Sequence, residues 1–364
     1  MTSRRTLLTA AAGMAAAAAI PPVSGMAGWT GAATVPGMLA RRISPIVGGT
    51  RVTQTPFSVS HLVVAWRGAG QPGIRTRSGS GWGDWRAVRA SQHGRHGASG
   101  QRSALLTVPD GVGYEIDCCG GAQDVSVTEL NTANHPIALR PQPGRPELRI
   151  ANRTAAVRYV DRGSWGADES SRLVGGDEAW PPQYGSVQTL TVHYTASAND
   201  DPNPAATVRA IHYYDAVTQG WGDMGYNFLI DEAGTVYEGR RSGTRSGPGF
   251  GPTTTDGRPQ VVTGAHVTDY NLGNVGVVLL GDFAGRLPTP AARHALTEVL
   301  ALLAGVAGLN PLRTTKYADP SLGVARTVGT IAGHRDYAET ECPGALFYPQ
   351  LASLREDVNR RLHS

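Results

Sequence analysis

Cysteine and lysine are almost missing from this 364-residue chain: there are three cysteines, and Lys316 is the single lysine among 33 basic residues. An exported domain stapled by disulfides would carry more cysteines than this. Cys118 and Cys119 are adjacent, and pairing any two of the three leaves one over, so a disulfide framework is excluded. Arginine carries nearly all of the positive side of a net charge of only +4. Basic runs interleaved with aromatics are lacking, which removes nucleic acid as a partner and leaves only weak contact with an anionic surface. Long hydrophobic runs are lacking too. The apolar stretch that ends at Ile20 is too short to span a bilayer, so no transmembrane segment is expected in the mature protein.

That first stretch has the pair Arg4-Arg5 in front of it and Pro21-Pro22 behind it, the flanks of a signal peptide. Twin arginine favours the Tat route over Sec. Small residues around Gly25-Met26-Ala27 suit a signal peptidase, and no cysteine follows to take a lipid. The expectation is a Tat-type signal over 1–27 and a secreted or cell-wall protein. Oligomeric state is not legible.

Residues 28–54, rich in Gly, Ala and Pro in their first part, read as a linker. From 55 to 150 the runs "FSVSHLVVAW", "GIRTRS", "SALLTVPD", "YEIDCC" and "DVSVTEL", punctuated by Gly, Pro and Asn, predict a smaller all-β domain, a sandwich or barrel. The boundary is placed near Arg153, with a second domain over 153–364. There, "QTLTVHYTAS" alternates, with Leu190, Val192 and Tyr194 on one face and Thr191, His193 and Thr195 on the other. Asn203 caps a helix that has Pro204 at its first position. "MGYNFLID" and "TVYEGR" read as a hairpin, and "NVGVVLLGDF" as a strand covered on both faces. Thr289 and Pro290 open the clearest helix, with Leu296, Leu300 and Leu303 as its buried stripe. The fold class is α/β, a mixed sheet flanked by helices.

His193 and His334 each end an extended run, and Cys342 lies in a turn eight residues further on. Two imidazoles and a thiolate leave a fourth tetrahedral position open, as in a catalytic zinc site. On spacing alone Cys342 is a metal ligand, a nucleophile or an inert thiol. A nucleophile is disfavoured because Pro343 follows it and no helix opens there.

The motifs "TVHYTAS", "GWGDMGYNFLIDEAGTVYEGR", "GAHVTDYNLGNVGVVLLGDF" and "GHRDYAETECPG" occur in this order. Together they resemble the peptidoglycan recognition protein family of type 2 amidases, over roughly residues 158–362. The resemblance implies Zn2+ held by His193, His334 and Cys342, with catalytic assistance from Tyr226 and, two residues before the cysteine, Thr340. It implies contacts to the sugar and peptide of peptidoglycan from Tyr194, Thr195, His266 and Asn271. Gly220-Trp221 resembles a pair found in members that prefer meso-diaminopimelate, whose extra carboxylate would meet Arg240. Asp215 and Gln219 depart from the His and Arg frequent in the family, so some peptide contacts differ.

The implied reaction is hydrolysis of the amide between N-acetylmuramic acid and L-alanine. That amide is unactivated, and zinc makes water nucleophilic near neutral pH by lowering its pKa. The alternative from the same family is a peptidoglycan binder without activity, in which the cysteine is commonly missing.

Overall fold

The computed structural model describes residues 38–364 except 47–48, 92–100, 119, 135–146, 245–246 and 255–256. The expected signal segment, Cys119, His93, His96 and His135 lie outside the described residues. No helix among them is long and apolar enough to cross a membrane.

An antiparallel sheet comes first in the chain, built from β1 (Leu39–Ile46), β2 (Thr50–Arg67), β3 (Gly73–Ser78), β4 (Gly81–Trp82), β5 (Arg86–Ala87), β6 (Arg102–Asp117) and β7 (Gln123–Asn131). Its order is β1-β7-β2-β6-β3-β4, with β5 on β3. One face gathers Leu62, Val64, Trp66, Ile74, Ile116 and Val127. The opposite face presents Ala40, Val63 and Leu130. This is one sheet with two apolar faces, where the short runs of the sequence predicted a sandwich or barrel.

Two features account for the difference. The run "SALLTVPD" and the "YEID" of the next run belong to one strand, β6, because Val108, Pro109 and Asp110 bulge opposite Ser60 and the ladder resumes at Gly111. Asp110 takes a positive φ of 51° there, and Pro109 falls where no ladder bond is needed. The second feature is β1, which lies inside the stretch read as linker and pairs with β7 from Leu39↔Asn131 to Ile46↔Val125.

The core of the central sheet draws in residues before Arg153. A hairpin of β8 (Leu148–Ile150) and β9 (Arg153–Ala155) buries Leu148, Ile150 and Ala155 in the same core as Leu296 and Leu300. After β10 (Tyr159–Val160) and α1 (Arg162–Trp165) come the short pair β11 (Leu173–Val174) and β12 (Asp177–Glu178), then β13 (Tyr184–Ser186) and β14 (Thr189–Tyr194). Helix α2 (Pro204–Tyr213) runs into a π turn at Tyr214–Thr218, and β15 (Phe228–Ile230), β16 (Val236–Glu238), β17 (Gln260–Val262) and β18 (Asn274–Leu279) follow. The chain ends with α3 (Pro290–Ala307), the hairpin β19 (Thr314–Asp319) and β20 (Val324–Gly329), β21 (Ile331–Gly333) and α4 (Leu351–Leu362).

The mixed central sheet has the order β10-β16-β15-β18-β14-β21, parallel except for the β15/β16 hairpin. β18 sits in the middle, and all six of its residues are buried, as its unbroken apolar run requires. Helices α3 and α4 cover the face that carries Leu190, Val192 and Ile331. The other face, with Leu229 and Val278, meets Val208 and Ile211 of α2. Both long helices begin as the sequence indicates: Asn203 accepts from the Ala206 N–H and Thr289 from the Ala292 N–H.

The N-terminal sheet packs against α2. His61 Nε2 lies 3.1 Å from Thr207 Oγ1, Thr132 Oγ1 donates to the Ala206 carbonyl at 2.8 Å, and Arg209 Nε donates to the Thr132 carbonyl at 2.9 Å. Ala210 and Tyr214 pack on Ala40, Val63 and Leu130. Ser103 Oγ reaches the Tyr214 hydroxyl at 2.8 Å.

Candidate metal centre

Parallel pairing of β14 with β21 sets Leu190 beside Ile331 and Val192 beside Gly333, so the next residues, His193 and His334, leave neighbouring strands together at their carboxyl ends. Their rings are 4.8 Å apart between centroids. The turn after His334 returns Cys342, whose Sγ stands 3.6 Å from His193 Nδ1 and accepts the Tyr194 N–H at 3.4 Å. One donor atom from each of His193, His334 and Cys342 lies within 4.8 Å of the others, and all three residues are buried. Crevices at the carboxyl ends of parallel strands are where α/β sheets place their sites.

The donor set suits a cation with a taste for nitrogen and sulfur. Two imidazoles and one thiol are the ligands of open zinc sites. Burial pushes the Cys342 thiol up to about 12, against a smaller opposing effect of the Tyr194 N–H. A bound cation would offset that penalty.

His193 is held in one orientation from behind. Its Nε2 lies 3.0 Å from Nδ1 of His266, and His266 Nε2 lies 3.1 Å from the Asn274 carbonyl. A carbonyl only accepts, so His266 carries its proton on Nε2. Burial depresses His266 to about 4 and keeps it neutral, so its Nδ1 accepts from His193 Nε2–H. The lone pair of His193 therefore resides on Nδ1, the nitrogen that faces Cys342. Such backing of a ligating histidine fixes its tautomer and ring angle. Space for His266 comes from Gly276 on β18, where a Cβ would come within 2.5 Å of the imidazole.

Tyr226, in the segment before β15, lies with its ring centroid 5.4 Å from that of His193. Burial, and then the neighbouring Cys342, raise its hydroxyl well above the ordinary phenol range, so it stays a proton donor. Thr340 is half-buried on the rim and its Oγ1 accepts the Cys342 N–H at 3.1 Å. Beside it Glu341 is exposed and pairs with Arg89 of the N-terminal domain at 3.1 Å.

The expected substrate contacts divide. Tyr194 is adjacent to the cluster, and Thr195 is tied to Ser197 Oγ at 2.7 Å and the Gly281 N–H at 3.0 Å. Gly220 is exposed and Trp221 packs on Trp180 and Ala265. Asn271 Oδ1 is committed to the N–H groups of His266 and Val267, both at 2.9 Å.

Two contacts need correction. His266 lies buried behind His193 with both ring nitrogens engaged, Nδ1 by His193 and Nε2 by the Asn274 carbonyl, so neither is left for a ligand. Arg240 is 1% exposed, donates to Asp223 Oδ2 and to the Trp180 carbonyl at 2.7 Å each, and lies 3.8 Å over the Trp180 ring. Asp223 also takes Arg162 at 3.0 Å and His212 at 3.4 Å. This buried charge cluster takes up both terminal nitrogens of Arg240 and holds it in the interior, away from a diaminopimelate carboxylate. Asp215 is buried as well, raised to about 8 by desolvation, and accepts the Gly225 N–H at 2.9 Å. None of these partnerships has a spacing signal in sequence, because they depend on which way a loop turns its side chains.

A family model described as N-acetylmuramoyl-L-alanine amidase matches residues 183–345. A human protein of that name is 33% identical over 163 residues, which cover 43% of this chain and 23% of the human protein. Rat peptidoglycan recognition protein 1 is 32% identical over 170 residues, 46% of this chain and 74% of the rat protein. The chain thus spans under a quarter of the human relative's length and about three quarters of the rat relative's. The solved structure of wild-type Drosophila PGRP-LB covers 54% of this chain and 93% of its own, at 24% identity and a TM-score of 0.37.

Proposed function

Since the chain belongs to the family of N-acetylmuramoyl-L-alanine amidases and peptidoglycan recognition proteins, we propose that its C-terminal domain hydrolyses the amide between N-acetylmuramic acid and L-alanine of peptidoglycan with zinc as cofactor. The observation that carries this reading is the buried convergence of His193, His334 and Cys342 beside Tyr226. A binder has no need of the thiol.

Zinc bound by these three side chains would supply Lewis acidity and a water of lowered pKa. His266 keeps His193 in the tautomer that directs Nδ1 at the cation. Tyr226 offers a buried O–H to the lactyl carbonyl oxygen, where negative charge develops as the tetrahedral centre forms. Removing water from such a donor strengthens it. Thr340 shapes the turn that presents Cys342 and places a hydroxyl on the rim.

Product analysis tests the reading. A soluble muramoyl tripeptide incubated with the full chain should give N-acetylmuramic acid and a peptide with a free L-alanine amine, identified by mass. Binding of that ligand without a new amine would make the protein a recognition module. We propose in addition that Arg4-Arg5 directs Tat export to the cell wall. Replacing both by lysine should retain the protein inside the cell, and unchanged secretion would point to Sec.

A further inference from the structure

We infer that the N-terminal sheet carries a glycan-binding platform, formed by Trp82 and Trp85 around Arg75, that receives the sugar backbone of the same polymer whose peptide amide occupies the metal centre. This rests on the peptidoglycan reading above. Of the large hydrophobic side chains exposed among the described residues, the aromatic ones are Trp82 and Trp85, at 39% and 44%. The others are aliphatic, such as Val52, Leu312 and the adjacent pair Leu173 and Val174, and offer no aromatic face. Two exposed indoles in one place do carry meaning.

The cluster is fixed in place. Trp82 lies on β4 in register with Arg77, and Trp85 follows the turn secured by the Gly83 N–H to the Thr76 carbonyl at 2.9 Å. The Arg75 guanidinium carbon is 5.0 Å from one ring centroid and 5.1 Å from the other, while Glu115 holds its Nε at 2.5 Å. A pyranose offers an apolar face of C–H bonds and, at its edge, hydroxyl and N-acetyl carbonyl oxygens. Indole faces cover the first, and an anchored guanidinium with N–H groups to spare donates to the second.

The chain that leaves this cluster leads to the metal centre. From Trp85 it passes through β5, where the Val88 N–H bonds the Pro72 carbonyl at 2.8 Å, to Arg89 and Ser91. Arg89 reaches Glu341, the residue before Cys342, at 3.1 Å. The Ser91 N–H bonds the Ser103 carbonyl at 2.8 Å, and Ser103 Oγ touches Tyr214 of the π turn. An exposed pair such as Arg89–Glu341 adds little stability, but it locates the strap on the rim. A glycan strand that emerges there meets the strap and then the indoles.

The test uses the full chain with Trp82→Ala/Trp85→Ala and with Trp82→Phe/Trp85→Phe. Probes are peptide-free peptidoglycan glycan strands, intact sacculi and a soluble muramoyl tripeptide. The alanine pair should bind the glycan strands about tenfold more weakly and hydrolyse sacculi more slowly to match, with hydrolysis of the soluble substrate unchanged. The phenylalanine pair should stay near wild type. Equal strand binding by the alanine pair overturns the inference. So does a parallel loss on the soluble substrate, or a self-association of the wild type that the alanine pair abolishes while strand binding persists. If the wild type leaves the soluble substrate intact, the amidase reading fails, and strand binding still decides the platform.

Discussion

Tyr226, His266 and Gly276 carry the sharpest consequences of the site at the scale of single residues. On the proposed mechanism, removing the Tyr226 hydroxyl takes away one donor to the developing oxyanion. Tyr226→Phe should lower kcat on the order of a hundredfold, with KM little changed; steady-state kinetics on the soluble substrate reads this directly. His266→Ala leaves His193 free to turn, so zinc affinity measured by competition with a chelator should fall about 10- to 100-fold. Gly276→Ala should act in the same direction, since its Cβ would press on the imidazole. The three residues of the candidate cluster, His193, His334 and Cys342, are legible in the sequence as residue types at ordered spacing. The role of His266 is not, because a histidine that backs a ligand and one that faces a substrate look alike in sequence.

Elements with local signals were legible, and those defined by partners were not. β14 announced itself by alternation, β18 by its apolar run, and α3 by Thr289 and Pro290. β6 did not, because Pro109 reads as a break where the structure has a bulge, and β1 did not, because its stability lies in the ladder with β7. The segment between α2 and β15 also depends on partners: Asp223 at its centre neutralises Arg162 and Arg240, both buried. Asp223→Ala would take the carboxylate from buried Arg240 and leave Arg162 with Glu169 alone, and should cost about 3–5 kcal/mol in urea unfolding. Arg240→Met, which removes a charge and fills its volume, should cost less.

The joint between the N-terminal sheet and α2 gives the whole molecule a predictable response to acid. Burial, and then Arg209, push the His61 imidazole down to about 3. An unfolded chain takes up its proton near pH ~6.5. Between these values the unfolded state binds the proton and the folded state does not, so stability is complete above about pH 6.5 and declines below it. At about pH 5 the loss from this group is about 2 kcal/mol. Unfolding at about pH 7.5 and at about pH 5 should show that difference in the wild type and a smaller one in His61→Gln. An equal pH response of both would show that His61 is not enclosed in solution. Because α2 bears this joint and runs into the π turn that contains Asp215, loosening there should also slow hydrolysis of the soluble substrate.

The central claim is that three buried side chains hold a zinc on which hydrolysis depends, and zinc content measured together with release of L-alanine amines tests it most directly. The wild type should bind one zinc per chain, lose both metal and hydrolysis to a strong chelator, and recover both on adding zinc. Cys342→Ser should bind zinc poorly and stay inactive at the same zinc concentration. Full hydrolysis by the metal-free wild type, or one tightly bound zinc with wild-type hydrolysis in Cys342→Ser, would contradict it.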